Sequence, residues 1–212
     1  EAQFLLDRLN SSGISTTQDP TALLNLELKE NEILEAGDWL SRRRQSPSQP
    51  LIALAPGVNQ LANEWPLEYF VKMAKRIFSF IECEFIILGG KHDQDKGKKI
   101  IDSVNGINAA GELSARKSAA VLRHCQLFIG LDSGPSHMAA AVDVPSVSIY
   151  SDRDNPGRWH PLGKNHIVIR NQVPCGGCRL SVCNVMGHPC MKQISVEKVF
   201  EAVISLLRQA KS

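Results

Sequence analysis

The sequence predicts an α/β protein, a Rossmann-like parallel sheet with helices on both faces. Three observations predict it. Short, continuous apolar runs recur from residue 51 onward, as expected of strands buried on both faces. Segments with helical apolar spacing stand between them, which makes βαβ units with right-handed crossovers. Pro56-Gly57, Gly89-Gly90 and Ser133-Gly134 close three of the runs where the chain must turn.

The elements follow in order. Residues 1–50 read as an adaptor and linker. They comprise a helix-like run over Glu1–Asn10, a short strand over Leu23–Leu28, and a helix over Glu30–Arg44 with Ile33, Leu34 and Leu40 on one side. Ser46-Pro47-Ser48-Gln49-Pro50 is the linker. Residues 51–212 form the Rossmann-like domain. Leu51–Ala55 is its first strand, and Pro66 opens a helix carrying Phe70, Ala74, Ile77 and Phe78. Phe85–Leu88 is the second strand, followed by a polar helix over Asp93–Val104 and a short strand over Ile107–Ala110. Ser114 caps a helix that runs to about His124. Leu127–Leu131 is a further strand, Pro135 opens the next helix, and Val147–Tyr150 and His166–Ile169 complete the sheet. The last helix carries Val196, Val199, Phe200, Val203, Leu206 and Leu207 on one stripe.

The chain of 212 residues is long enough for one sizeable core. Its net charge of +2 gives no nucleic-acid footprint. No apolar run approaches the roughly 20 residues of a membrane span, and no basic-then-apolar leader opens the chain. A reducing cytoplasm is therefore the expected setting. Glu1 opens directly into helical sequence, so the chain reads as a piece whose N-terminal partner is missing, with a trimmed disordered tail as the alternative. Cys83 and Cys125 lie alone in apolar segments and read as small buried hydrophobes.

In a doubly wound sheet, ligands sit outside the carboxyl ends of the strands. That rule selects the loops Pro56–Trp65, Gly89–Asp95 and Asp132–His137. The sharpest is Gly130-Leu131-Asp132-Ser133-Gly134-Pro135-Ser136-His137, which joins a buried strand to a helix start. Ser133, Gly134 and Ser136 present small side chains and backbone N–H groups at a helix N-terminus, where free donors and the helix dipole attract an anion such as a nucleotide diphosphate. His137 can donate to a phosphate oxygen. Asp132 can orient that network or accept from a sugar hydroxyl, and equally can serve as a helix-start stabiliser. Gly57 permits close backbone approach. Trp65 is a stacking surface or a packing residue. Asp93 falls where a ribose lies in a Rossmann-like half, or at a solvated helix start. A serine hydrolase is disfavoured, because the elbow pattern G-x-S-x-G has its first glycine out of register here.

The order Pro-Gly…Trp-Pro, Leu-Gly-Gly, then Asp132 to Ala140 resembles the C-terminal domain of glycosyltransferase family 9, the heptosyltransferase-like proteins. Asp154 to Gly163 and the cysteine loop ending Cys190-Met191-Lys192 are similar too. The resemblance covers nearly the whole chain. It implies half of a GT-B architecture, two Rossmann-like domains facing across a cleft. It implies a transfer needing no cofactor, with a nucleotide sugar, ADP-heptose in the best-known members, on this half. The lipopolysaccharide core acceptor and the catalytic base then belong to the N-terminal half, which this chain lacks. On that reading the protein is cytoplasmic or peripheral to the inner membrane, and no catalytic residue lies in this chain. Gly57, Asn63, Trp65, Asp93, Asp132, Ser133, Gly134, Ser136 and His137 are the donor-binding candidates. In one place the chain departs from the pattern: family members usually carry a basic residue two positions before Trp-Pro, and here it is Asn63. That departure keeps open a non-catalytic nucleotide-binding module.

Cys175, Cys178, Cys183 and Cys190 follow the spacing C-x2-C-x4-C-x6-C among glycines and prolines. Four thiolates can hold a structural zinc ion tetrahedrally, or an iron–sulfur cluster, with His188 as a spare ligand. Reduced free thiols, or a disulfide formed on oxidation, are the alternatives. A metal-binding interaction domain built on this loop is the third functional class.

Overall fold

The computed structural model describes residues 11–12 and 26–209. The helix expected over Glu1–Asn10 lies outside these residues. Among them, strands β1 (Leu51–Ala55), β2 (Glu84–Ile87), β3 (Gly106–Asn108), β4 (Leu127–Leu131), β5 (Ser146–Tyr150) and β6 (His166–Arg170) form one sheet. The helices are α1 (Glu30–Ser41), α2 (Leu67–Phe80), α3 (Gln94–Ile101), α4 (Ala115–Leu122), α5 (Gly134–Ala141), α6 (Pro189–Lys192) and α7 (Val196–Gln209). Strand order is β3-β2-β1-β4-β5-β6. Every neighbouring pair is parallel. The predicted Rossmann-like sheet is the fold found.

The apolar runs are strands because both of their faces are covered. Ile52 and Leu54 point into one core with Phe70, Met73, Ile77, Val199 and Val203, the work of α2 and α7. Leu51, Ala53 and Ala55 point the other way, onto Leu40, Leu122 and Ala139 of α1, α4 and α5. Each fully buried Leu, Ile or Phe in these layers contributes about 1.5–3 kcal/mol relative to exposure.

Two helix faces differ from the sequence expectation. In α1 the buried positions are Ala36 and Leu40, while Leu34 is exposed. In α2 the stripe runs through Phe70, Met73, Ala74 and Ile77, and Phe78 is exposed. Leu34 and Phe78 each sit about 100° around the helix from the position before them, which turns them to solvent. Of the strand expected over Leu23–Leu28, residues 23–25 lie outside the described set. Residues 26–28 form no strand; the Leu26 N–H donates to Ala141 O at 2.9 Å.

The segment between α1 and β1 is tied to the sheet by charge. Glu84 is fully buried in β2. Its carboxylate accepts from Arg44 Nε and from the Gln45 N–H, each at 2.8 Å. Burying a charge is tolerable only with such partners. No helix among the described residues is long and apolar enough to cross a membrane.

Candidate functional site

The strand order reverses direction between β1 and β4, so their carboxyl ends splay into a crevice. Two of the expected loops border it. The loop after β1 holds a 3-10 turn, Leu61–Asn63, that delivers Asn63 to the crevice. The loop after β4 delivers Asp132 and runs at once into α5. A hydrogen bond from Asn63 Nδ2 to Asp132 Oδ2, 3.1 Å, joins them.

The start of α5 is open. Ser133 occupies the N-cap in extended conformation, yet its side chain makes no capping hydrogen bond. A Cβ added at exposed Gly134 would meet nothing within 4 Å. Uncapped donors beside empty space are the geometry that receives an anion. His137 stands exposed on the first turn of α5. Partial desolvation lowers its imidazole from the ordinary value, which favours the neutral ring with its single N–H.

Asp132 is half-buried. Burial pushes its carboxyl up to about 6, helped by the nearby Asp154 carboxylate and opposed by the Arg153 guanidinium and the Asn63 bond. A carboxyl that carries a proton part of the time near neutrality can donate as well as accept a hydrogen bond.

Several candidates face inward. Trp65 is a packing residue: it is 1% exposed, its Nε1–H donates to Ile194 O at 2.9 Å, and Tyr69 and Phe70 meet it edge-on. No ring face is left for stacking, which corrects that reading. Ser136 is fully buried and its hydroxyl donates to Leu131 O, so it secures the α5 start and offers no side-chain contact. Asp93 is 3% exposed; it lies under Gly57 and Gly89 and accepts from the Gly90 N–H at 2.9 Å. Its carboxylate is a strut between the first two loops and is closed off from solvent.

In the loop after β5 the sequence reading noted Asp154 to Gly163 as a resemblance and missed Ser151 to Arg153. Ser151 Oγ donates to Asn63 Oδ1 at 2.5 Å. Burial, then the Asp132 charge, raises the Tyr150 phenol, and its OH donates to Trp159 O at 2.6 Å. Arg153 pairs with Asp154 at 2.9 Å and donates to Leu180 O at 2.7 Å and Arg179 O at 2.9 Å. A signal was available, because residue 151 follows β5 directly at the same carboxyl edge.

Through Arg153 the cysteine loop becomes a wall of the site. The Ala62 N–H also donates to Ser181 O at 2.9 Å, and His188 Nε2 bonds Ala62 O at 3.0 Å. Cys175, Cys178, Cys183 and Cys190 line one small cavity with Asp152 and His188. All four are free thiols. Burial, and then the neighbouring Cys183 and Cys175, raise the Cys190 thiol. Among the described residues, no three His, Cys, Asp or Glu side chains are grouped as a bound ion would require. The isolated Cys83 and Cys125 are buried, and burial pushes each thiol up to about 12.

The chain matches the model of glycosyltransferase family 9 (heptosyltransferase) over residues 17–187. It is 27% identical over 166 residues to lipooligosaccharide heptosyltransferase 2 of Campylobacter jejuni, covering 76% of this chain and 52% of that protein. Lipopolysaccharide heptosyltransferase 2 of Salmonella typhimurium is also 27% identical, over 77% of this chain and 49% of its own length. The chain thus spans about half the length of these curated relatives. Among solved structures, a family 9 glycosyl transferase from Veillonella parvula superposes with a TM-score of 0.79 at 23% identity, covering 97% of this chain and 58% of that one.

Proposed function

Because this chain belongs to glycosyltransferase family 9, we propose that it is the nucleotide-sugar-binding half of a GT-B enzyme that transfers a sugar, heptose being the leading candidate, to a lipopolysaccharide-type acceptor. The observation that carries the reading is the open start of α5 beside Asp132, at the crevice where the sheet order reverses. The donor's diphosphate lies against the backbone N–H groups of Gly134 and His137 and the His137 ring. Asp132 meets the sugar or its proximal phosphate. Residues 1–50 serve as the adaptor to the acceptor-binding half, and the whole works in the cytoplasm or at the inner face of the membrane.

In the full-length protein a base from the N-terminal half takes the proton of the acceptor hydroxyl. The oxygen attacks the anomeric carbon from the face opposite the diphosphate, forming the new glycosidic bond with inversion. The bond from that carbon to the phosphate oxygen breaks, and its electron pair leaves with the nucleoside diphosphate. The positive end of α5 stabilises the charge that collects there. No cofactor is needed for this step.

The test is transfer of heptose from ADP-heptose to a heptose-deficient lipopolysaccharide core, read by mass spectrometry. The full-length protein is expected to give the heptosylated product, and residues 1–212 alone none. A full-length protein that binds donor and yields no product with any acceptor would support the non-catalytic nucleotide-binding module instead.

A structural zinc on Cys175, Cys178, Cys183 and Cys190 is a second reading, of the loop alone, favoured by their shared cavity. The ion would have to draw the thiols together from their present spacing. One equivalent of zinc with four protected thiols supports it; metal-free protein with four titratable thiols removes it.

A further inference from the structure

We propose that Ser151 is a positioning residue, one that acts through Asn63 to hold the Asp132 carboxyl in its working orientation at the donor crevice. The inference deepens the glycosyltransferase reading and rests on it for the role of Asp132. Its geometry stands on three loops. Ser151 follows β5, Asn63 closes the turn after β1, and Asp132 follows β4. Ser151 Oγ donates to Asn63 Oδ1 at 2.5 Å, and Asn63 Nδ2 donates to Asp132 Oδ2 at 3.1 Å. Ser151 and Asn63 are 5% and 3% exposed, so water does not substitute for either bond.

An amide has two ends of nearly equal shape and opposite hydrogen-bonding character. Turned one way, Asn63 offers Asp132 an N–H; turned the other, it offers a carbonyl oxygen that repels a carboxylate. The backbone N–H of Arg153 points at Ser151 Oγ, at 3.5 Å, which directs the serine proton toward Asn63. A donated proton matches only the carbonyl end of the amide. The N–H end is then left facing Asp132. Without the serine hydroxyl, the Asn63 oxygen is buried and unpartnered, and nothing fixes the amide; turned, it sets that oxygen against Asp132, where only a protonated carboxyl can meet it. Asp132 then loses the hydrogen bond that favours its ionised form. Asp154 and Arg153 also face this carboxyl and act on it in opposite directions, and the Tyr150 phenol beside it is neutral.

The test follows the Asp132 side-chain carboxyl by carbon NMR titration in this chain, a readout that needs no donor. Ser151→Ala is expected to raise the Asp132 midpoint by on the order of one pH unit, the scale of one lost hydrogen bond to a charge. Ser151→Thr, which keeps the hydroxyl, should restore the original midpoint. Asn63→Leu, close in shape and without the amide, should raise the midpoint by the same amount, and the double variant no further. A purely structural serine would change stability and leave the midpoint alone. An unmoved midpoint in folded Ser151→Ala overturns the proposal. If Ser151→Ala does not fold, Asn63→Leu and Ser151→Thr decide: an unmoved midpoint in the first, or a raised one in the second, overturns it equally. ADP titrated into the same wild-type sample separates the two ideas. The expected carboxyl shifts without ADP binding would remove the adenine-nucleotide donor from the proposed function and leave the Ser151–Asn63–Asp132 linkage standing.

Discussion

Replacing Gly57 by Ala tests whether the first two loops are braced by Asp93. Gly57 does not have a positive φ, so backbone strain is not the reason for glycine there. The reason is close approach. An added Cβ would sit well inside 3.0 Å of Asp93 Oδ1, Cγ and Oδ2. At Gly89 it would lie 2.6 Å from Asp93 Oδ2. The carboxylate already lies close against both glycines, and moving it away from an added Cβ at position 57 strains or breaks the bond from the Gly90 N–H. A lost hydrogen bond to a charged group costs about 1.5–3 kcal/mol. Overpacking adds about 1–3 kcal/mol, and the reduced freedom of the unfolded chain returns about 0.4–1 kcal/mol. Gly57→Ala should thus destabilise by about 2–5 kcal/mol in urea unfolding. The cycle with Asp93→Ala supplies the control: in that background the carboxylate is gone, and Gly57→Ala should cost less than about 1 kcal/mol. A Gly57→Ala protein within about 0.5 kcal/mol of wild type, or equal costs in both backgrounds, would refute the brace.

Two further substitutions probe Asp132. Its carboxyl titrates near 6 in the fold against 3.8 ordinarily, so the folded state holds the proton more tightly. Stability then falls as pH rises from about 4 through about 6, and the cost is complete above that window. Asp132→Asn cannot ionise, so it should gain on wild type between pH 4 and pH 7.5 in urea midpoint; a difference independent of pH would contradict the raised carboxyl. Asn63→Lys places an ammonium beside Asp132, which favours the carboxylate and should pull its midpoint below 6. With an ADP-sugar, the same change in the full-length protein should raise turnover by steadying the departing diphosphate; a fall in rate with that donor would mean the site is built around asparagine.

The strands were legible because both-face burial leaves a continuous apolar signature, as in Leu51–Ala55 and Leu127–Leu131. The crevice was legible because topology alone directs ligands to strand carboxyl ends, and Asp132 to His137 falls there. The direction of loop side chains was not. Trp65, Asp93 and Ser136 sit in loops or at a helix start, where no period of 2 or 3.6 distinguishes inward from outward. Asp93 points inward because Gly57 and Gly89 leave it room, a fact held by residues 36 and 4 positions away in sequence. Ser151 escaped notice for a related reason. Its place after a strand was readable, but a lone serine there carries no further pattern, and its meaning comes from Asn63, which lies 88 positions earlier. The cysteine loop was visible as spacing, while its attachment to Ala62 and Arg153 is long-range hydrogen bonding that spacing does not encode.

The central claim is that the loop from Asp132 to His137 holds the diphosphate of a nucleotide sugar. Calorimetric titration of the 212-residue chain with ADP and ADP-heptose, alongside UDP- and GDP-sugars, tests it most directly, with His137→Ala as the companion protein. Saturable binding of the adenine nucleotides, weakened by about 1–3 kcal/mol in folded His137→Ala, is the predicted result. Saturable binding that His137→Ala leaves unchanged, or no binding of any nucleoside diphosphate or its sugar, would contradict it.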